Sequence, residues 1–466
     1  MNLQRLRERA QAFSEDVARE GYLAYSGLKP DAALQAIYAR YSDILRQDAL
    51  ADCIERFRSA PASSEDARAA RMMLEWQAES RVGRELAILD EKEVALENDS
   101  VIRVTDGRTI PYQRGAIDLA NSTSAKDREA IDVARARLVE DDFAPMRLER
   151  LQAEREATEE LGIASGYNVT FETLSGISLS ALAAECQSFL RDTDAMWTSV
   201  LGERLRAFGV PLGEATRADS LALFRLREFD DAFAESSMED VIRRSCTDMG
   251  IDATADGRII FDIGDRPGKR PRAFCSTVRV PQEVYLVLRP RGGQADYGTF
   301  LHELGHALHF GNVRADFPFE YRWLGDNSVT EAYAMLFDHR MQQRGWLRRY
   351  TGLDRNRAGA FLRAAGFEEL HFVRRYCAKL LYEIQVYGGS VGWGTLPDLY
   401  VDTLVAATGF RYRRADAFVD LDARFYSTRY LRAWQLQSLL DEGLTNRFDE
   451  DWWRNPAAGP WIVGEL

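Results

Sequence analysis

Cysteine and histidine are scarce in this chain, with five of each among 466 residues. The cysteines (Cys53, Cys186, Cys246, Cys275, Cys377) are odd in number, scattered, and never form a C-x-x-C pair. That excludes a zinc ribbon and a disulfide framework, and the expectation is reduced, buried thiols. Long apolar runs are also missing. No stretch approaches the roughly 18 uninterrupted apolar residues of a membrane span, so no membrane partner is expected. Excess positive charge is absent as well. The formal net charge is −13, a poor match to the phosphate backbone of nucleic acids. The first residues, Met1-Asn2-Leu3-Gln4-Arg5, run directly into charged helical pattern without an apolar leader, so a cytoplasmic protein is expected.

What is present is mostly helical pattern. Leu3, Leu6, Ala10, Phe13 and Val17 recur at three- and four-residue spacing, the stripe of an amphipathic helix. Lys29-Pro30-Asp31 is read as the opening of a second helix, with proline tolerated in a first turn. Residues 64–97 carry a long charged helical pattern. Asp106-Gly107 marks a turn between two short strands near 101–104 and 109–112. Helical pattern resumes from about 124 to 161, with Pro145 expected to break or kink it. Gly162 and Gly166 place a boundary near residue 165. The expected organisation is an N-terminal helical lobe, 1–165, and a catalytic region, 166–466. Within the latter, 258–263, 273–280 and 283–289 are short, β-branched and apolar, and read as three strands.

About nine residues beyond the last strand comes Leu301-His302-Glu303-Leu304-Gly305-His306, the pattern H-E-x-x-H. On a helix, positions four apart share a face, so both imidazoles can reach one metal ion. Glu303 beside the first ligand is placed to take a proton from a water on that ion. Imidazole with carboxylate suits zinc, at one ion per chain, and a catalytic zinc keeps three protein ligands plus an open position. The variant completed by a third histidine needs glycine at position 309 and histidine at position 312, whereas this chain has His309 and Asn312. A glutamate must then complete the set. The zinc helix is expected over about 296–311, ending at the Gly311-Asn312 stop signal, and the next helix over about 328–343. Glu331 is the chosen carboxylate. Two alternatives stand beside it: Ser328-x-x-Glu331 also fits a capping box, and Glu320 is a rival ligand. His309 is either a support behind the metal ligands or a core histidine. His371 reads as an ordinary residue at a helix start.

Phe300-Leu301-His302-Glu303-Leu304-Gly305-His306-Ala307-Leu308-His309, with Glu331 25 residues after His306, resembles the thimet oligopeptidase and oligoendopeptidase F family of zinc peptidases. Gly305 and His309 belong to that pattern. Residues 269–275, the Gly292-Gly293 turn and Tyr430-Leu431-Arg432-Ala433-Trp434 are similar to further family segments. The resemblance covers about residues 165–466. It implies a mostly α fold of two helical lobes flanking a deep substrate channel, with a small β-sheet beside the zinc helix. It also implies short unstructured peptides as substrates, and tyrosine hydroxyls that stabilise the oxyanion. Tyr426 and Tyr430 have the family's four-residue spacing, although the surrounding glycines are missing. Tyr376, Tyr382 and Tyr387 are rival donors.

The sequence reading is therefore a zinc-dependent metallopeptidase, an oligopeptidase in which Glu303 assists attack by water. A metallocarboxypeptidase of the same architecture is the first alternative. It would need a cation for the substrate carboxylate, with Arg374, Arg375 and Arg429 available. A non-catalytic peptide-binding protein is the second alternative.

Overall fold

The N-terminal stripe forms the first helix of the computed structural model, which describes residues 2–465. Helix Leu3–Tyr25 starts where the Asn2 side chain accepts a hydrogen bond from the Arg5 backbone, and it buries Leu6, Ala10, Phe13 and Tyr22. The next helix begins at Leu34 rather than at Pro30. Glu20 takes the Lys29 ammonium and the Ala33 backbone N–H, so the segment between them bends back onto the first helix instead of winding. Helix makes up 71% of the chain, which bears out the mostly α class. No helix among the described residues is long and apolar enough to cross a membrane.

Two small sheets interrupt the helices. Strands β1 (Val101–Arg103) and β2 (Thr109–Pro111) form the antiparallel hairpin expected around Asp106-Gly107. Strands β3 (Ile259–Ile263), β4 (Phe274–Arg279) and β5 (Glu283–Leu288) form a second sheet in the order β3-β5-β4. β3 runs parallel to β5 and β4 antiparallel to it. Helix Leu3–Tyr25 covers one face, with Tyr22 stacked on Tyr285 at 3.9 Å and Val278 and Val287 buried beneath them. The buried Lys269 ammonium ties the sheet's loops together by donating to the carbonyls of Asp262, Gly264 and Leu288.

The chain divides into two compact units. The first is built from residues 1–80, 227–363 and 432–466, and the second from 81–226 and 364–431. The boundary expected near residue 165 falls inside the second unit. That unit holds the β1–β2 hairpin over an apolar core of Ile102, Ile110, Leu119 and Ile131. It also shows what Pro145 does. The chain stays helical, but a wide π-type turn, Val139–Phe143, immediately precedes the helix that carries Pro145 near its start. Proline has no N–H to give and its ring crowds the carbonyl four residues back, so widening the turn relieves both.

Candidate metal centre

The H-E-x-x-H segment lies on helix Gln294–Asn312 in the first unit. Gly293, at φ 90°, starts it, and Asp230 accepts from the Gln294 N–H at 3.0 Å. A Cβ at 293 would overlap the Asp230 carboxylate, so glycine is required at this start. Leu301, Leu304, Ala307 and Leu308 are buried, and Phe300 meets Phe261 of β3 edge to face at 5.3 Å. That packing holds His302 and His306 on the opposite face, their rings 4.9 Å apart and nearly perpendicular.

The third residue comes from helix Asn327–Asp338. His302 Nε2 lies 3.4 Å and His306 Nε2 3.5 Å from Glu331 Oε2. Donor atoms about 2.0–2.1 Å from a tetrahedral zinc stand roughly 3.4 Å from one another, and the two separations to Glu331 match that figure. Among the described residues it is the one cluster of three or more His, Cys, Asp or Glu side chains arranged to hold a metal. Glu331 is only 3% exposed, so its charge needs local compensation. Burial pushes its carboxyl up, but hydrogen bonds and charge from both histidines outweigh that and hold it well below the usual carboxylate range. Burial likewise opposes the His302 imidazolium, yet Asp338 and Glu331 raise it to about 10.

The capping alternative for Glu331 is not realised. Asp326 caps this helix by accepting from the Ser328 N–H at 2.9 Å, two residues ahead of the predicted box. The rival Glu320 is fully buried and bound by Arg7, whose Nε lies 2.9 and 3.0 Å from its two oxygens. The predicted helix to 343 stops at Asp338 and continues as a tighter turn, His339–Gln342. His309 lies against Tyr333 with rings 5.4 Å apart and nearly parallel. Burial and the nearby His306 lower it to about 4, so it is a neutral packing residue between the two site helices. Two contacts escaped the sequence reading. His302 Nδ1 lies 2.8 Å from Asp338 Oδ2, and His306 Nδ1 lies 2.8 Å from Thr330 Oγ1. The available signal was spacing, since Asp338 follows Glu331 by two helical turns.

Glu303 is half-buried and forms no hydrogen bond among the described residues, so its carboxylate is open to a water or a substrate group. Its charge reaches Cys275, whose thiol burial and Glu303 together push well up. Edge strand β4 therefore runs beside the glutamate. In the second unit, Tyr426 and Tyr430 open helix Tyr426–Phe448, their rings 5.2 Å apart, and Tyr376 packs 5.0 Å from Tyr430. Tyr382 is committed to the core and donates to the Ala417 carbonyl. Tyr387 is buried in a stack with Tyr167 at 4.4 Å. Arg374 is 1% exposed and spends its donors on Ala407, Leu190, Thr193 and Asp194. Arg375 is bound by Asp420, and Arg429 is buried over the Phe171 ring. His371 does not start a helix. It lies inside helix Arg355–Gly388, stacked on Phe224 at 4.6 Å and Trp197 at 5.7 Å.

No family profile and no curated protein matches the sequence. Solved structures do match the fold. An M32 carboxypeptidase from Deinococcus radiodurans R1 is similar at 15% identity and a TM-score of 0.56, over 99% of this chain and 91% of that one. Metallocarboxypeptidase 1 of Trypanosoma cruzi is similar at 14% identity and a TM-score of 0.58, again over 99% and 91%. A candidate peptidase from Chlamydophila abortus is similar at 13% identity and a TM-score of 0.61, over 99% and 85%. At these identities the likeness establishes a shared fold, and it extends over nearly the whole chain.

Proposed function

We propose that this protein is a zinc-dependent metallopeptidase that hydrolyses short, unstructured peptides. The observation that carries this reading is the convergence of His302 Nε2, His306 Nε2 and Glu331 Oε2 beside the uncommitted carboxylate of Glu303. A bound zinc ion would supply a water acidic enough to lose a proton near neutral pH and a positive centre for negative charge developing on the peptide carbonyl oxygen. Glu303 accepts the proton from the attacking water and returns it to the departing amine, a transfer one carboxylate can perform in both directions. Strand β4 is an edge strand, and its row of backbone groups offers an extended peptide main-chain pairing that is largely indifferent to side-chain identity. Tyr430, with Tyr426 as its neighbour, remains the proposed oxyanion donor on the sequence pattern.

Two modes of cleavage divide this reading. The Gly305, His309 and Glu331 pattern favours an oligopeptidase of the thimet and oligoendopeptidase F type. The matched solved structures favour a carboxypeptidase. Against the latter, Arg374 is buried and held by the Ala407 and Leu190 carbonyls, Thr193 and Asp194, and Arg375 is held by the buried Asp420, so both are spent on internal partners. Internally quenched peptides blocked at both ends separate the two modes. Cleavage of blocked peptides establishes endopeptidase action, and release of single residues from free-carboxylate peptides alone establishes carboxypeptidase action. Failure to cut either class with zinc loaded refutes the peptidase reading.

A further inference from the structure

Both imidazoles of the metal centre are held from behind by the helix that also brings in the third ligand. On helix Asn327–Asp338, Thr330 meets His306 Nδ1, Glu331 faces both Nε2 atoms, and Asp338 meets His302 Nδ1. Thr330 and Glu331 are buried, at 6% and 3% exposure, so neither can adjust freely by swinging into solvent. A metal takes the lone pair of Nε2 only if the ring's proton sits on Nδ1, so each Nδ1 needs an acceptor. Asp338 is an obligate acceptor when ionised, whereas the Thr330 hydroxyl can either accept or donate. Asp338 is also the last residue of its helix, where backbone carbonyls point outward and a carboxylate is disfavoured. A carboxylate kept at that position calls for a local partner: its Oδ2 meets His302 Nδ1 at 2.8 Å, and its Oδ1 lies 3.7 Å from His339 Nε2.

From this geometry we propose that Asp338 and Thr330 are positioning residues of the metal centre, and unequal ones. Asp338 locks His302 as the tautomer that presents Nε2 and increases its donor strength with a full negative charge. Thr330 orients His306 with a neutral hydroxyl and leaves its tautomer to be set by the metal. His302 is then the more firmly organised of the two ligands. Glu331, which lies between Thr330 and Asp338 on the same helix, would hold the same ion. The inference rests on the metal-centre reading above and adds the source of its affinity.

The test is zinc affinity by competition with a chromophoric chelator, together with cobalt absorption spectra, for the wild type and for D338N, T330V and T330S. D338N keeps an acceptor oxygen but loses the charge, and should raise the zinc Kd roughly 10- to 100-fold. T330V should weaken binding by a smaller factor, and T330S should restore it. The cobalt band should change in D338N and T330V, a change that simple loss of packing would not produce in a variant whose metal-free melting temperature is unchanged. Equal affinities for wild type, D338N and T330V overturn the proposal while leaving the metal centre standing. T330V weaker than D338N overturns the inequality. If D338N does not fold, T330V against T330S decides alone, and equal zinc affinity in that pair overturns the proposal. Failure of the wild type to bind zinc refutes the metal-centre reading itself.

Discussion

Gly305 sits between the two histidines of the motif, where the motif helix meets helix Asn327–Asp338, and replacing it with alanine should weaken the metal centre without touching a ligand. A Cβ at 305 would stand 2.5 Å from Ala334 Cα, 2.6 Å from Tyr333 O and 2.8 Å from Ala334 N. All three atoms are backbone, so no side chain can swing away. Bringing them to ordinary contact requires the helices to part by roughly 1 Å. Metal ligand distances tolerate only about 0.2 Å. Parting the helices draws Glu331 from His302 and His306 together. Alanine gains about 1 kcal/mol of helix propensity over glycine. Overpacking a dense interior costs about 1–3 kcal/mol, so the clash should win. The expected result for G305A is a lower metal-free melting temperature and at least a tenfold weaker zinc affinity, about 1.4 kcal/mol. Gly366 provides the control. It lies in helix Arg355–Gly388 with nothing near its missing Cβ, so G366A should be neutral or slightly stabilising. Zinc titration and thermal unfolding of both variants give the answer. Wild-type affinity and stability in G305A would refute the claim that this close approach sets the ligand geometry.

Three further outcomes are expected. Glu303→Gln should abolish peptide cleavage while retaining zinc, whereas Glu331→Gln should lose zinc; metal content and activity on the same samples check both. Tyr430→Phe should lower kcat by about 10²–10³-fold if its hydroxyl meets the oxyanion, and wild-type kcat would remove it from that role. His371 is 3% exposed, and burial, helped by Arg375 and Arg374, lowers it to about 3 from 6.5. Its folded pKa lies below the unfolded one, so its neutral burial is fully stabilising above about pH 6.5, and this is lost progressively as the pH falls toward 3. Between pH 7 and pH 5 the wild type should therefore lose about 2 kcal/mol relative to His371→Phe. Parallel stability curves for the two proteins would show that the imidazole is not held neutral.

The parts of the site legible in the sequence were those whose geometry is local. The helical period places His302 and His306 one turn apart wherever the helix goes, and Glu303 follows as their neighbour. The strand and helix limits were also close, since Gly, Pro and Asn stop signals act within a few residues: the motif helix ended at Asn312 as expected. The start of the second helix was missed because a distant carboxylate, Glu20, captures the backbone of the connecting bend. The rivals for donor and cation roles could not be ranked either, because aromatic and basic residues look alike in sequence. Burial then committed Tyr382, Tyr387 and Arg374 to the interior.

The sequence by itself determined that two imidazoles share one helix face, since residue identity and a 3.6-residue period suffice to aim both at one point. Only the tertiary structure decided where the Glu331 carboxylate turns, because the four-residue spacing alone also allows a cap: Asp326 caps the helix, and Glu331 Oε2 lies 3.4 and 3.5 Å from the two Nε2 atoms. Only the packing of two helices at Gly305 brought Thr330 and Asp338 behind the histidines. Those contacts span 24 and 36 residues, separations over which no local period carries information.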